Sequence, residues 1–386
     1  MNAVIEKNSC CGCGACYSVC PKDAIRMQLD GEGFEYPFVN QDTCIECGLC
    51  KKVCPILQYE KKNEKRISNC TVQEGLVARN RNYEQRLSSS SGSIFPPIAE
   101  NILAQGGIVV GAAFDGEFNV CHRIVERAED LPLLQGSKYL QLKADKETFR
   151  YIKRELMGGR KVLYSGMACQ VEGIKSFLQR DFENFYTIDL ICMGIPSYVV
   201  WQKYLKVFFP EEKIKSVNFK EKSVGWDSFV FRVETEKRVF QERGMHNLYL
   251  QSMFRSWNMR PSCFQCPFKK IQRISDFTIS DAWGVYKQTP QINDNKGLSS
   301  VIIHSSKGLE LWNSVRDRFD QVPVSIDDIA KGNSNLVSNK HQSGNRKRFF
   351  RMLEKNPRKA FGKLCSVNKK SLVGRIWGRI KRLLCL

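Results

Sequence analysis

Two short runs of cysteine constrain this chain more than anything else in its 386 residues. The first is Cys10-x2-Cys13-x2-Cys16-x3-Cys20-Pro21. The second, Cys44-x2-Cys47-x2-Cys50-x3-Cys54-Pro55, repeats it at the same spacing. Three thiolates at three-residue steps wrap one face of a cubane, and the fourth leaves on a short helical turn to bind the neighbouring cluster. The spacing therefore assigns Cys10, Cys13, Cys16 and Cys54 to one [4Fe–4S] cluster and Cys44, Cys47, Cys50 and Cys20 to its twin. Zinc ribbons use two separated C-x2-C pairs, not four-cysteine runs closed by proline, so zinc is the weaker reading. Cys11, between ligand positions, reads as a small packed thiol, with a shift of ligand register onto it as the alternative. The C-x3-C-x2-C spacing of radical enzymes is absent, so these clusters are expected to carry electrons.

Residues 25–39 read as a hairpin turning at Asp30-Gly31, which with the two runs makes a two-cluster ferredoxin-type domain over residues 1–60. Residues 61–69 read as a solvated linker, since the run EKKNEKR has no apolar period. Residues 70–340 alternate between the two apolar periods, which predicts an α/β domain with a β-rich insertion at 213–243. Within it, 108–114 and 118–125 form a hairpin around Asp115-Gly116, and 145–157 form a helix closed by Gly158-Gly159. The strand at 161–164 runs into Cys169, and the strand at 186–192 runs into Cys192, each just before a helix. Ligands of parallel sheets bind at the carboxyl ends of strands, so both thiols are expected at one edge. Cys263-x2-Cys266-Pro267 adds a pair with metal-ligand spacing. Three readings of these four thiols stay open: a third [4Fe–4S] cluster, zinc, or a set of core thiols. Electrons held upstream need an acceptor, which favours the cluster.

The seventeen cysteines accompany an N-terminal sequence, MNAVIEKN, without an apolar signal core, and no run reaches the length of a membrane span. A reducing, cytoplasmic setting is the expectation, and there clustered thiols bind metal rather than pair. The net charge of +20 is uneven: residues 1–60 hold five basic and eight acidic side chains, residues 340–386 fifteen and one. Residues 341–386 read as a basic helical tail. Its end, SLVGRIWGRIKRLLCL, places Leu372, Ile376, Ile380 and Leu383 on one face with arginines mostly off it. That pattern fits peripheral contact with the inner face of a membrane, and equally a helix docked on its own domain. Nucleic acid is the weakest of the three, because the tail has no finger or RNP-type pattern and few stacking aromatics.

From Ser88 to about residue 340 the chain resembles the beta subunits of the coenzyme F-420-reducing hydrogenase and formate dehydrogenase group. Bacterial relatives fuse that domain behind a diferredoxin, and 7-hydroxymethyl chlorophyll a reductase is a plant relative. The segments are SSSSGSIF at 88–95, GGIVVGAAFD at 106–115, GSKYLQ at 136–141, SGMACQVEGIKSFL at 165–178, DLICMGIPS at 189–197, RPSCFQCPFK at 260–269 and SDFTISDAWG at 275–284. The resemblance implies FAD beside a cluster held at the positions of Cys169, Cys192, Cys263 and Cys266. Flavin chemistry also suits the chain, because clusters pass single electrons whereas most organic substrates exchange two. No G-x-G-x-x-G or Walker A motif occurs, so the flavin falls to the family's own segments. Candidates are Ser91, Gly92 and Ser93 at a helix start, Gly136, Ser137 and Lys138 as a close-approach turn with a cation, and Ser275 and Asp276 at a strand opening.

Two departures limit what carries over. Cys192-Met193-Gly194 stands where relatives commonly have Cys-His-Gly, and Gly166-Met167-Ala168-Cys169 where they have Gly-Thr-Pro-Cys. The missing histidine removes a candidate proton donor, and no catalytic acid is assigned; His122, alone on a strand, reads as structural. The expected function is a flavo-iron–sulfur oxidoreductase exchanging electrons with an external protein donor or acceptor and a small-molecule substrate. Similar fusions are encoded beside surface-polysaccharide genes, which would suit a membrane-facing tail. The alternatives are an electron-transfer subunit without its own substrate and a basic iron–sulfur nucleic-acid-binding protein.

Overall fold

The repeat of cysteine spacing becomes a repeat of backbone. In the computed structural model, which describes residues 4–59 and 74–363, both runs wind through left-handed positions before a short helix. Gly12 and Glu46 have φ of 70° and 53°, and Gly14 and Gly48 have 82° and 70°. Helices Ala15–Val19 and Leu49–Lys52 follow. Positive φ costs glycine little and other residues more, and three of these four positions are glycine. The hairpin between the runs forms as expected, with β1 (Ile25–Leu29) antiparallel to β2 (Glu35–Val39). Asp30 Oδ1 closes its turn by accepting from the N–H groups of Glu32 (3.0 Å) and Phe34 (2.9 Å). The expected linker at 61–69 and the amphipathic stretch 371–386 lie outside the described residues.

The larger part is built on β3 (Glu74–Asn80), β4 (Ile108–Phe114), β5 (Val120–Val125), β6 (Val162–Met167), β7 (Phe185–Leu190), β11 (Phe277–Asp281), β12 (Ser299–Ile303) and β13 (Phe319–Pro323). Their order is β13-β3-β12-β11-β7-β6-β4-β5. The centre, β4, β6, β7 and β11, is parallel, and both sides are completed by antiparallel pairings. Alternate residues face opposite layers. Val109, Leu163 and Ile188 pack with Ile98 and Ile102 of helix Phe95–Ala104. Ile108, Val110, Val162 and Tyr164 pack with helices Lys146–Met157 and Ala168–Leu178. The insertion is the antiparallel sheet β8 (Ile214–Glu221), β9 (Val230–Thr235), β10 (Val239–Arg243). It shares an aromatic core with helices Tyr198–Phe208 and Leu248–Phe254.

The start of the basic segment is not an appendage. Helix Arg346–Lys355 drives Phe349 and Leu353 into that aromatic core, where Ala360 and Phe361 join them. Arg346 also pairs with Glu32 of the dicluster hairpin, at 2.7 Å and 2.5 Å. Among the described residues no helix is long and apolar enough to cross a membrane.

The dicluster module is seated on the second helical layer, where Ala15 and Val53 enter the same core as Val171 and Ile174. Arg150 fastens it by donating to the carbonyl oxygens of Ser18 (2.9 Å) and Cys20 (3.0 Å) and to Asp23. Gly173 permits the closest approach: a Cβ there would stand 2.7 Å from Cys13 Cβ and 2.9 Å from its Sγ. Gly173→Val is therefore expected to lower stability by about 1–3 kcal/mol through overpacking and to reduce iron content together with it. Urea denaturation and iron analysis check this; an unchanged midpoint with full iron would contradict the packing argument.

Candidate functional site

Cys10, Cys13, Cys16 and Cys54 line one small cavity, with Cys11 and Gly12 on its wall. Burial pushes the Cys16 thiol up, and Cys10, Cys54 and Cys50 push it further. Cys16 therefore stands at the seam between the two sets. In the second set burial likewise raises Cys50, with Cys44 and Cys47 as its charged neighbours. Cys20 packs with Cys44 and Cys50 on the small core of Val4, Ile25 and Val39. Cys47 is exposed. Backbone N–H groups point at these sulfurs, among them Gly12 at Cys10, Ala15 at Cys13 and Tyr17 at Cys16. Such donors favour sulfur that carries negative charge.

The two βα units deliver their thiols to one edge. β6 and β7 pair in parallel with Met167 opposite Leu190, so Cys169 opens the helix after β6 just as the chain leaves β7 for Cys192. Cys263 and Cys266 come from a 3-10 turn, Pro261–Gln265, held over this edge where Ile195 N–H donates to Cys263 Sγ at 3.3 Å. Gly194 keeps its place there because a Cβ would lie 2.6 Å from Met259 Sδ. Burial raises Cys192 to about 12 and Cys263 and Cys266 to about 11, and neighbouring thiols add to it. The hydrogen bond with Cys11 raises Cys169 first, then burial, then Cys11, Cys266 and Cys192. All four thiols are partly buried, and thiols crowded together in this way become stable thiolates where a metal takes the place of their protons. Lys269 is the adjacent cation, its Nζ donating to Ser338 O at 3.0 Å and Met193 O at 3.4 Å.

Cys11 is more than a small packed thiol. Hydrogen bonds with Cys13 and Cys169 pull it well below the usual thiol value despite burial, so it joins the first set to the third. Its position after Cys10 carried no signal for that, because the partner is 158 positions downstream in sequence.

Beyond Cys192 gathers a cluster of cationic side chains that local spacing did not reveal. Tyr139 adjoins it: burial raises its hydroxyl, which bonds with Ser137 and feels Lys220, Asp281 and Cys192. Lys220 pairs with Asp281 at 2.6 Å. Lys222, 2% exposed, falls to about 7 through burial and repulsion from Lys220 and Arg86. Arg86, 5% exposed, spends Nη2 on Asp294 at 2.6 Å, while its buried Nε and Nη1 have no hydrogen-bond partner among the described residues. Burial also lowers Lys138 to about 8. Gly136 has φ of 80° and open space at its Cβ position. Ser137 meets Ser90, whose Oγ accepts from Ser137 N–H at 2.6 Å.

The other expected flavin contacts are placed differently. Ser91 Oγ donates to Leu298 O at 2.5 Å, Gly92 N–H to Ser299 Oγ at 2.9 Å, and Ser93 Oγ to Gln85 O at 3.1 Å. Those three residues brace the loop, and Ser90 is the one that meets Ser137. Ser275 and Asp276 are bonded within the large sheet. Ser275 Oγ donates to Asp189 at 2.9 Å. Asp276 accepts from Thr187 N–H (2.7 Å), Thr187 Oγ1 (2.8 Å) and Ser305 Oγ (2.6 Å), so its acceptor sites are used inside the sheet. His122 is also internal: its Nε2 lies 2.9 Å from the Tyr164 hydroxyl, and burial lowers it to about 4.

Residues 3–61 match the family model of the 4Fe-4S dicluster domain, which places the chain among iron–sulfur electron-transfer proteins. Residues 159–323 match the model for the C terminus of the coenzyme F420 hydrogenase/dehydrogenase beta subunit. The chain thus joins a dicluster domain to a domain of that beta-subunit family, and is related to oxidoreductase subunits. The matched range contains the segments at 165–178, 189–197, 260–269 and 275–284; those at 88–95, 106–115 and 136–141 precede it. Among solved structures the chain is similar to one from the F420-reducing [NiFe] hydrogenase complex of Methanosarcina barkeri. Identity is 18% and the TM-score 0.48, over 72% of this chain and 90% of that one. No curated protein matches.

Proposed function

We propose that this protein is a flavo-iron–sulfur oxidoreductase that moves electrons between an external protein, two ferredoxin-type clusters, a third [4Fe–4S] cluster, FAD and a small-molecule substrate. One observation carries the reading: neighbouring thiols extend from exposed Cys47 through Cys50, Cys16, Cys13 and Cys11 to Cys169 and Cys192, near a cluster of buried cations. Cys169, Cys192, Cys263 and Cys266 would hold the third cluster. Among the described residues no group of three or more ligands is gathered to hold a metal ion; zinc, which would draw its sulfurs to about 2.3 Å from one point, is the alternative that metal content separates from a cluster.

The cation cluster suits FAD. Arg86, whose Nε and Nη1 lack a hydrogen-bond partner among the described residues, and Lys222 would turn to its pyrophosphate, while the open space at Gly136 leaves room for close approach. Bound there, the flavin would supply exchange between one-electron and two-electron chemistry. Tyr139 lies near both this cluster and Cys192, and Lys138 adds a cation that a bound anion would hold protonated.

Anaerobic purification with iron, sulfide and flavin analysis tests the reading. About twelve iron atoms, four per cluster, and one FAD per chain are expected. Eight iron atoms with one zinc would remove the third cluster, and a colourless preparation after reconstitution would end the proposal. Arg86→Gln in the same preparation should weaken FAD binding roughly tenfold or more, the loss of a charge-assisted hydrogen bond worth about 1.5–3 kcal/mol. Equilibrium dialysis reads the affinity, and unaltered retention would remove Arg86 from the site.

A further inference from the structure

Arg260 stands between the first set of thiols and the third. It immediately precedes the turn that carries Cys263 and Cys266, yet its side chain crosses into the dicluster domain. The residue is 1% exposed. Nε donates to Cys10 O at 2.7 Å, Nη2 to Glu35 O at 2.8 Å and Nη1 to Gln141 Oε1 at 2.9 Å. The guanidinium carbon lies 4.3 Å from the centre of the Tyr36 ring. Gly12 makes room: a Cβ there would be 2.8 Å from Nη1.

All three acceptors are neutral, and a buried cation without an anion is expensive. The carboxyl of Glu35, whose backbone carbonyl is one of these acceptors, is raised by burial and accepts from Ala144 N–H at 2.8 Å. Its bond to Cys10 O and its place at the head of the turn that carries Cys263 set this cation beside both sets of thiols, whose cluster sulfurs would supply the missing negative charge.

We propose that Arg260 is the shared charge-compensating residue of the two adjoining clusters and sets both of their reduction potentials. The proposal rests on the cluster assignment made above. Each cluster accepts one electron and gains one negative charge, and a fixed cation beside its sulfurs favours the reduced form. Burial keeps solvent ions from screening that effect. Arg260 touches no substrate; it acts through the clusters as a positioning residue for charge.

The test is an EPR-monitored redox titration of the anaerobic holoprotein with dithionite, comparing wild type, R260Q and R260K. At a fixed potential, R260Q should lower the reduced-to-oxidised ratio about tenfold at the clusters of Cys10 and Cys263; tenfold is 59 mV for a one-electron couple. R260K, which keeps the charge, should recover most of this. The cluster of Cys44, Cys47 and Cys50 should move less than threefold and serves as the internal reference. R260Q with full iron and unmoved midpoints would reduce Arg260 to a strut between domains and overturn the proposal. Should R260Q not retain iron, R260K decides: midpoints within threefold of wild type support compensation, and loss of iron equal to that of R260Q overturns it. A wild-type protein without iron would overturn the cluster assignment itself, whereas full wild-type iron with an unmoved R260Q overturns this inference alone.

Discussion

Replacing Cys263 and Cys266 together by alanine is expected to remove about four iron atoms of twelve and leave both dicluster EPR signals in place. The two thiols sit on one turn over the β6–β7 edge and contribute to the third set alone. The first and second sets draw their ligands from residues 10–54 and their packing from Val4, Ile25 and Val39. Flavin should remain, because Arg86, Lys222 and Ser137 are held by other elements. Its reduction by an electron donor that enters through the dicluster should slow at least tenfold, since the thiol series then breaks at Cys11. Iron analysis, EPR and stopped-flow absorbance read the three parts separately. Twelve iron atoms in the double variant would remove these cysteines from the ligand set.

The second large effect lies beneath the same edge. Asp189 on β7, three residues before Cys192, is 1% exposed. It accepts from Arg273 Nη1 at 2.8 Å and Ser275 Oγ at 2.9 Å. Arg273 is itself 4% exposed, so Asp189→Ala leaves a buried guanidinium without its carboxylate. Breaking a buried pair from one side costs about 3–5 kcal/mol. Urea denaturation of the holoprotein should show that loss, and the third cluster should be the first to bleach, because the strand that delivers Cys192 loses its anchor. A variant within 1 kcal/mol of wild type would show that Arg273 finds equivalent acceptors elsewhere.

Much of the architecture was legible in local patterns. The hairpins at 25–39 and 108–125, the helix over 146–157 and the β-rich insertion appear where Asp-Gly turns, paired glycines and apolar periods placed them. β12, with all five residues buried, and the flanking strands β3 and β13 carried weaker signals. A strand buried on both faces has no alternation, so its period does not distinguish it from a short apolar helix. The flavin segments illustrate a different gap. Ser91, Asp276 and Ser137 are chemically similar candidates in a sequence, but only a fold says which lone pairs are already used. Ser91 and Asp276 are spent on Leu298 and Thr187, whereas Ser137 meets Ser90 next to Gly136, whose Cβ position is open.

By itself the sequence determined the ligand loops of the dicluster. Three-residue steps, glycines at positive φ and a closing proline act within a few residues, where chain geometry leaves little choice. The tertiary structure alone decided that Cys11 meets Cys169, that Arg260 reaches Cys10 across 250 positions, and that Arg86 and Lys222 are buried side by side. Those contacts come from the seating of one domain on the other and from burial of charge, and neither is written in the spacing of neighbouring residues.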